Sequence, residues 1–129
     1  MGAPHVTVTV SNPADPQQRW DGLFLVDTGA IESMAPAKHL RSIGIVPRTK
    51  RTYELADGSE NVLEIGAAVV EFLGDLVAVN MIFGADDVEP ILGLTALESV
   101  GIEVDPRNQR LKHLPAVRLK SLRKVSTCR

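Results

Sequence analysis

The stretch Leu23-Phe24-Leu25-Val26-Asp27-Thr28-Gly29-Ala30 carries the strongest signal for the fold of this chain. Its four apolar residues predict a strand that is buried on both faces. Asp27 follows them directly, and a carboxylate at the edge of a core costs free energy unless it is paired or hydrogen-bonded. The alternative is a plain turn, in which Asp27 caps the strand and Gly29 takes a positive φ. An Asp-Thr-Gly triplet arises by chance in about a few per cent of chains of this length, so other elements must decide.

A second element lies further along the chain. Pro90-Ile91-Leu92-Gly93 predicts a short buried strand that runs into a glycine. The helical spacing of apolar residues in 94–100 predicts a short helix, closed by Gly101. At this distance along the chain, the strand and the helix can pack behind the Asp27 loop.

The rest of the chain is dominated by short strand-like stretches. These stretches are 5–10, 20–26, 49–55, 61–68, 69–72, 76–83, 102–105 and 110–114. Another short helix is expected from 35 to 43, ending at Gly44. Asp57-Gly58 predicts a tight primed turn with both central residues at positive φ, and Gly74-Asp75 a further turn. About seven to nine strands with two small helices indicate an all-β barrel or sandwich.

Size and charge divide the chain into a body and a tail. A chain of 129 residues with 44% hydrophobic content is sufficient for one modest core. From Pro115 to Arg129 there are five basic residues and no acidic ones, which leaves nine basic against sixteen acidic residues before it. We therefore expect one domain over 1–114 and a basic, solvated tail over 115–129.

Several functional classes find little support in the sequence. Cys128 is the only cysteine, which precludes an intrachain disulfide or a cysteine metal site and favours a cytoplasmic location. The three histidines are too far apart for a ligand pattern, so no metal is expected. No signal peptide or long apolar run is present, and Val6 stands where myristoylation requires Ser or Thr. Membrane association is not expected, and nucleic-acid binding is disfavoured because no reading motif accompanies the basic tail.

The ordered motifs resemble those of retropepsin-like aspartic proteases. The stretch 26–30 resembles their catalytic loop, and Ile91-Leu92-Gly93 with the following helix resembles their apolar-apolar-glycine strand and C-terminal helix. The Asp57-Gly58 hairpin occupies the place of the flap. The resemblance spans about 6–114 and is most similar to the single-lobe bacterial and archaeal aspartyl proteases, in which Asp-Thr-Gly-Ala, Ala-Asp-Gly and Ile-Glu-Val-Asp-Pro recur. It implies a closed acid-protease barrel with one or two short helices.

This resemblance also implies a function and a site. Asp27, Thr28 and Gly29 would be catalytic. The chain has a single Asp-Thr-Gly, so a homodimer must supply the second carboxylate across a twofold axis. The implied reaction is hydrolysis of peptide bonds in an extended substrate, without a cofactor. The residues implied to bind the substrate are Ala30, Leu55, Ala56, Asp57, Gly58, Ser59 and Leu94.

One departure from the viral members of the family affects the dimer. In those members an acid after the Asp-Thr-Gly-Ala loop pairs with an arginine after the apolar-apolar-glycine strand, whereas this chain has Ile31 and Leu94 there. A hydrophobic contact is expected to replace the ion pair. The competing interpretation of the whole chain is a catalytically weak retropepsin-like module that dimerises or binds peptides.

Overall fold

The computed structural model describes residues 4–116, of which 58% lie in strands and 11% in helices. The tail predicted for 115–129 lies outside the described residues except for its first two. The strands are β1 (His5–Asn12), β2 (Asp15–Asp27), β3 (Ser33–Pro36), β4 (Thr49–Glu54), β5 (Glu60–Phe72), β6 (Asp75–Gly84), β7 (Ile91–Gly93), β8 (Ile102–Asp105) and β9 (Arg110–His113). The helices are α1 (Ala37–Ser42) and α2 (Leu94–Ser99).

Seven strands form one sheet in the order β1-β2-β7-β3-β6-β5-β4, and β8 pairs with β9 in a separate hairpin. The pairs β2–β7 and β3–β6 are parallel, and the other pairs are antiparallel. β1 also pairs with β5, so the sheet curls until two strands that are not neighbours in its order meet. The predicted all-β class with two short helices is therefore confirmed, while closure of the barrel stays a prediction.

The core is aliphatic and lies inside the curled sheet. Alternation along β1 buries Val6, Val8 and Val10, as the period of two predicts. The prediction that β2 is buried on both faces is wrong. Phe24 and Val26 are buried, but Leu23 is 60% exposed. The outer face of this strand is only partly covered by the described part of the chain.

The two central turns differ from the sequence prediction. In the hairpin between β4 and β5, the Gly58 N–H donates to the Leu55 carbonyl at 2.9 Å, and only Gly58 has positive φ. This is a three-residue loop with a left-handed last residue, and not the predicted two-residue primed turn. The primed pattern occurs between β5 and β6, where Leu73 and Gly74 have φ of 51° and 83° and the turn lies one residue earlier than predicted.

Two differences in the elements affect the site. β3 was not predicted, because its sequence Ser-Met-Ala-Pro is short and contains a proline, and α1 consequently begins at Ala37 and not at 35. The predicted strands 61–68 and 69–72 are one continuous strand, β5. β3 pairs with β6 on one side and with β7 on the other, so it places the chain after the Asp27 loop within the sheet.

Candidate active site

Asp27 is the last residue of β2 and lies on the face of the strand that points away from the core. Phe24 and Val26 point inward, so Leu25 and Asp27 alternate outward, and both are half-buried. β7 runs parallel to β2, with Asp27 opposite Gly93. The sheet therefore presents the carboxylate at the ends of two adjacent parallel strands.

The loop after Asp27 wraps around its carboxylate. The Gly29 N–H donates to Asp27 Oδ1 at 2.9 Å, and the Ala30 N–H donates to the Asp27 carbonyl at 3.2 Å. A Cβ atom at Gly29 would lie 3.2 Å from Oδ1, so the main chain approaches the carboxylate closely at this residue. Asp27 accepts a hydrogen bond from its own loop, as in the plain turn given as the alternative, but Gly29 does not have the positive φ that this alternative requires.

The chain around Gly93 holds this loop in place. The Gly93 N–H donates to Ser33 Oγ at 3.0 Å in a buried hydrogen bond. The N–H groups of Leu94 and Thr95 donate to the carbonyls of Ala30 and Ile31 at 2.8 and 3.2 Å. α2 has no side-chain N-cap, and the Asp27 loop supplies acceptors for its first free N–H groups. The loop and the helix therefore fix each other.

Gly93 packs directly against this loop. A Cβ atom at residue 93 would lie 2.5 Å from the Glu32 carbonyl oxygen and 2.8 Å from that of Ile31. Both are main-chain atoms, which cannot move aside as the end of a flexible side chain can. The glycine of the apolar-apolar-glycine strand is thus required by close packing of two segments.

The hairpin between β4 and β5 is exposed from Glu54 to Val62. Its tip is held by Leu55 N–H donating to the Ser59 carbonyl at 2.7 Å, and by Ser59 Oγ and N–H donating to Asp57 Oδ1 at 2.6 and 2.9 Å. These hydrogen bonds, that of the Ser59 side chain first, lower the pKa of the Asp57 carboxyl from its ordinary value. The predicted flap residues Leu55–Ser59 therefore form an exposed, ordered hairpin tip.

A concavity of about 790 Å³ lies beside the Asp27 loop. Thr28 and Leu94 both line it, so the structure brings together two of the site residues predicted from sequence. The flap residues 55–59 are not among its lining residues. Its other lining residues come from α2, β8 and the ends of the last hairpin, and are Leu97, Glu98, Gly101, Ile102, Glu103, Val104, Pro106 and Leu114.

The expected contact between Ile31 and Leu94 does not bury Ile31. Its side chain is 70% exposed, although the main chain of Ile31 is bonded to α2. An apolar side chain beside the loop is therefore available on the protein surface.

Two other kinds of feature were sought in the described residues: a metal site and a membrane-spanning helix. Across 4–116, no three His, Cys, Asp or Glu side chains are grouped so that they could hold a metal ion. Within the same range, no helix has the length and apolar character to cross a membrane.

Comparison with solved structures finds a protein of similar architecture. A structure of the EIAV protease, a retroviral protease, in complex with the inhibitor HBY-793 matches with a TM-score of 0.55. The chain has a retropepsin-like fold. The match covers 81% of this chain and 93% of the EIAV protease chain at 20% identity, so it shows the fold alone. No family model matches the chain, and no curated protein matches it.

The structure adds residues that sequence reasoning missed. Ser33 is 2% exposed and accepts the Gly93 N–H, which makes it part of the loop's support. The sequence did not predict β3, so no alternating pattern marked Ser33 as a buried strand residue. Glu32, the residue before it, contacts the first strand of the hairpin.

Proposed function

We propose that this chain is an aspartic endopeptidase whose active site is assembled from two copies of the chain. The observation that carries the proposal is the position of Asp27. Its carboxylate is bonded by its own loop on an open face of the sheet, opposite Gly93, in a retropepsin-like fold. The sequence contains one Asp-Thr-Gly, so a second copy must contribute the second carboxylate.

The chemistry follows from placing two carboxylates around one water molecule. Two like charges at such short separation cannot both be ionised, so the pair holds one proton. The ionised member takes a proton from the water, and the protonated member hydrogen-bonds to the peptide carbonyl. In this arrangement Gly29 lets the main chain approach the carboxylate, and the Thr28 hydroxyl hydrogen-bonds across the twofold axis.

Surface features beside the loop support a second copy as the partner. The concavity next to Thr28 has apolar lining residues, among them Ile102 and Val104. Ile31, which follows the loop, is 70% exposed. Apolar surface of this kind, next to a site that one chain cannot complete, is expected at an interface.

The substrate class that fits is an extended peptide. β4 is an edge strand of the sheet, and the β4–β5 hairpin carries the predicted binding residues Leu55–Ser59 at its tip. An extended chain can be bound by main-chain hydrogen bonds, with its side chains read by apolar groups such as Leu25. We also assign Ala30 and Leu94 to the substrate side of the loop.

The test is cleavage of a mixed peptide library by the unchanged chain and by Asp27→Asn, scanned from acidic to neutral pH. Asp87→Asn is the matched control, because Asp87 is an exposed acid with no hydrogen bond recorded among the described residues. We expect cleavage by the unchanged chain and by Asp87→Asn, and none by Asp27→Asn. Equal cleavage by all three would overturn the proposal. Peptide binding without any cleavage would favour the peptide-binding module instead.

A further inference from the structure

Glu32, Arg51, Tyr53 and Asn80 form a polar group, here called the Glu32 cluster, between the Asp27 loop and the β4–β5 hairpin. The Glu32 side chain is only 13% exposed. Its Oε2 atom accepts hydrogen bonds from Arg51 Nη1 at 3.4 Å and from Asn80 Nδ2 at 3.3 Å. Arg51 lies on β4 and Asn80 on β6, so one carboxylate joins two strands that are not adjacent in the sheet.

The pair formed by Arg51 and Glu32 has a special position because β4 is an edge strand. β4 is paired with β5 alone. Over residues 4–116, this ion pair is the one side-chain hydrogen bond or salt bridge that joins β4 to an element other than β5. For β4 to move away from the rest of the sheet, this pair must separate. The β5 strand of the hairpin is joined to α1 by a second pair, Arg41 Nη2 and Glu64 Oε1 at 3.3 Å.

The other end of the pair is fixed. Glu32 lies between Ile31, whose carbonyl accepts the Thr95 N–H, and Ser33, which accepts the Gly93 N–H. Its own carbonyl packs against Gly93. Asn80 precedes Met81, which pairs with Ser33, so β6 places its amide beside the Glu32 carboxylate. The Glu32 side chain thus connects the most tightly packed part of the site to the exposed hairpin.

Tyr53 adds a buried hydroxyl to the Glu32 cluster. It is two residues from Arg51 and so shares its face of β4. Its hydroxyl is buried and has no partner among the described residues. Burial first, and then the nearby Glu32 carboxylate, raise the pKa of Tyr53, while the neighbouring Arg51 guanidinium lowers it. A buried hydroxyl that has no acceptor costs free energy in this arrangement.

We propose that Glu32 is a positioning residue that holds the β4–β5 hairpin over the Asp27 loop through Arg51 and so controls how readily the hairpin opens. Its role in admitting and retaining a peptide rests on the proposed function. The restraint on the hairpin does not, because it follows from the contacts of one chain.

The restraint is tested by hydrogen–deuterium exchange of the amides of residues 54–62. The variants Glu32→Gln and Arg51→Met remove the charge on either side of the pair with little change of shape. Their matched controls are Glu54→Gln and Lys50→Met, exposed residues of β4 with no ion pair recorded in the described range. A partly exposed ion pair changes an equilibrium constant by up to about fivefold. We therefore expect amide exchange of the hairpin to be about two- to fivefold faster in both variants. In the controls it should match the unchanged chain.

Three further measurements separate the restraint from general loss of stability. Exchange in β1 and β2 should stay unchanged in Glu32→Gln, because their contacts do not include the cluster. Salt screens exposed pairs, so raising the ionic strength should speed hairpin exchange more in the unchanged chain than in Glu32→Gln, which within 4–116 keeps only the Arg41–Glu64 pair on β5. Tyr53→Phe removes the unpartnered hydroxyl and should leave exchange equal or slower.

The outcomes that would overturn the proposal are specific. If hairpin exchange in Glu32→Gln equals that in Glu54→Gln, the pair does not restrain β4. If exchange in Glu32→Gln is faster by the same factor over the whole chain, the variant has lost general stability and the pair does not restrain the hairpin specifically. If the chain cleaves peptides, Glu32→Gln should raise KM about two- to fivefold with kcat within about twofold. Absence of cleavage in every variant would contradict the proposed function and leave the exchange result to decide the restraint.

Discussion

Replacing Gly93 with alanine should disrupt the support of the Asp27 loop. The added Cβ would lie 2.5 Å from the Glu32 carbonyl oxygen, whereas ordinary contact begins at 3.4 Å. The main chain of β7 and that of the loop must therefore separate by about 0.9 Å. Overpacking of this kind costs about 1–3 kcal/mol. Because β7 is paired with β2 at Asp27 itself, the separation also displaces the carboxylate.

The assay is thermal unfolding at fixed protein concentration, together with peptide cleavage. At about 4 °C per kcal/mol for a domain of this size, the Tm should fall by about 4–12 °C, and cleavage should be lost. Gly74→Ala is the control, because a Cβ there meets nothing within 4 Å, although φ is +83°. It should cost only the left-handed backbone penalty of about 1–2 kcal/mol and preserve cleavage. A Gly93→Ala variant with unchanged Tm and unchanged cleavage would refute the packing argument.

Two other predictions follow from hydrogen bonds of the site. Ser33→Ala should lower the free energy of unfolding by about 1–3 kcal/mol, because it leaves the Gly93 N–H buried without an acceptor. Chemical denaturation measures this loss, with the exposed Ser99→Ala as the control. A loss of stability in Ser33→Ala no greater than that in Ser99→Ala would contradict the prediction. At the hairpin tip, the lowered pKa of Asp57 means that its hydrogen bonds with Ser59 are fully present above the ordinary value of 3.8 and are lost as the pH falls through the lowered value. The Ser59 amide should therefore titrate by NMR with a midpoint below 3.8, and a midpoint at or above 3.8 would show that the tip is not held this way.

Much of the structure around Asp27 was predictable because its signals are local. The apolar run before Asp27 correctly marks the end of a strand, and the run 90–93 correctly predicts a short strand that ends at Gly93. Alternation in β1 predicted which side chains are buried. In each case the residues that carry the signal are consecutive, so their physical consequences can be inferred without the rest of the fold.

What the sequence did not predict depends on pairing between distant segments. β3 has four residues with little strand character and exists because β6 and β7 bond to it from both sides. The outer face of β2 is apolar yet exposed at Leu23, since the described chain covers this face only in part. Periodicity reports the polarity of a face and not whether another element lies on it.

The turns and the Glu32 cluster show the same limit. Asp57-Gly58 is typical of a primed turn, but the register of β4 against β5 leaves three loop residues there and positive φ at Gly58 alone. A primed turn instead places Leu73 at positive φ, because β5 and β6 pair up to Phe72 and Asp75. Glu32 and Arg51 meet only through the curl of the sheet, which no local pattern records.

Mixing experiments test most directly whether the active site is shared between two chains. The unchanged chain and Asp27→Asn are combined at constant total concentration, allowed to exchange subunits, and assayed for peptide cleavage. If each site needs one Asp27 from each of two chains, an equal mixture should retain about one quarter of the activity of the unchanged chain, since only one dimer in about four has both carboxylates. Retention of half the activity, in proportion to the unchanged chain present, would contradict a shared site.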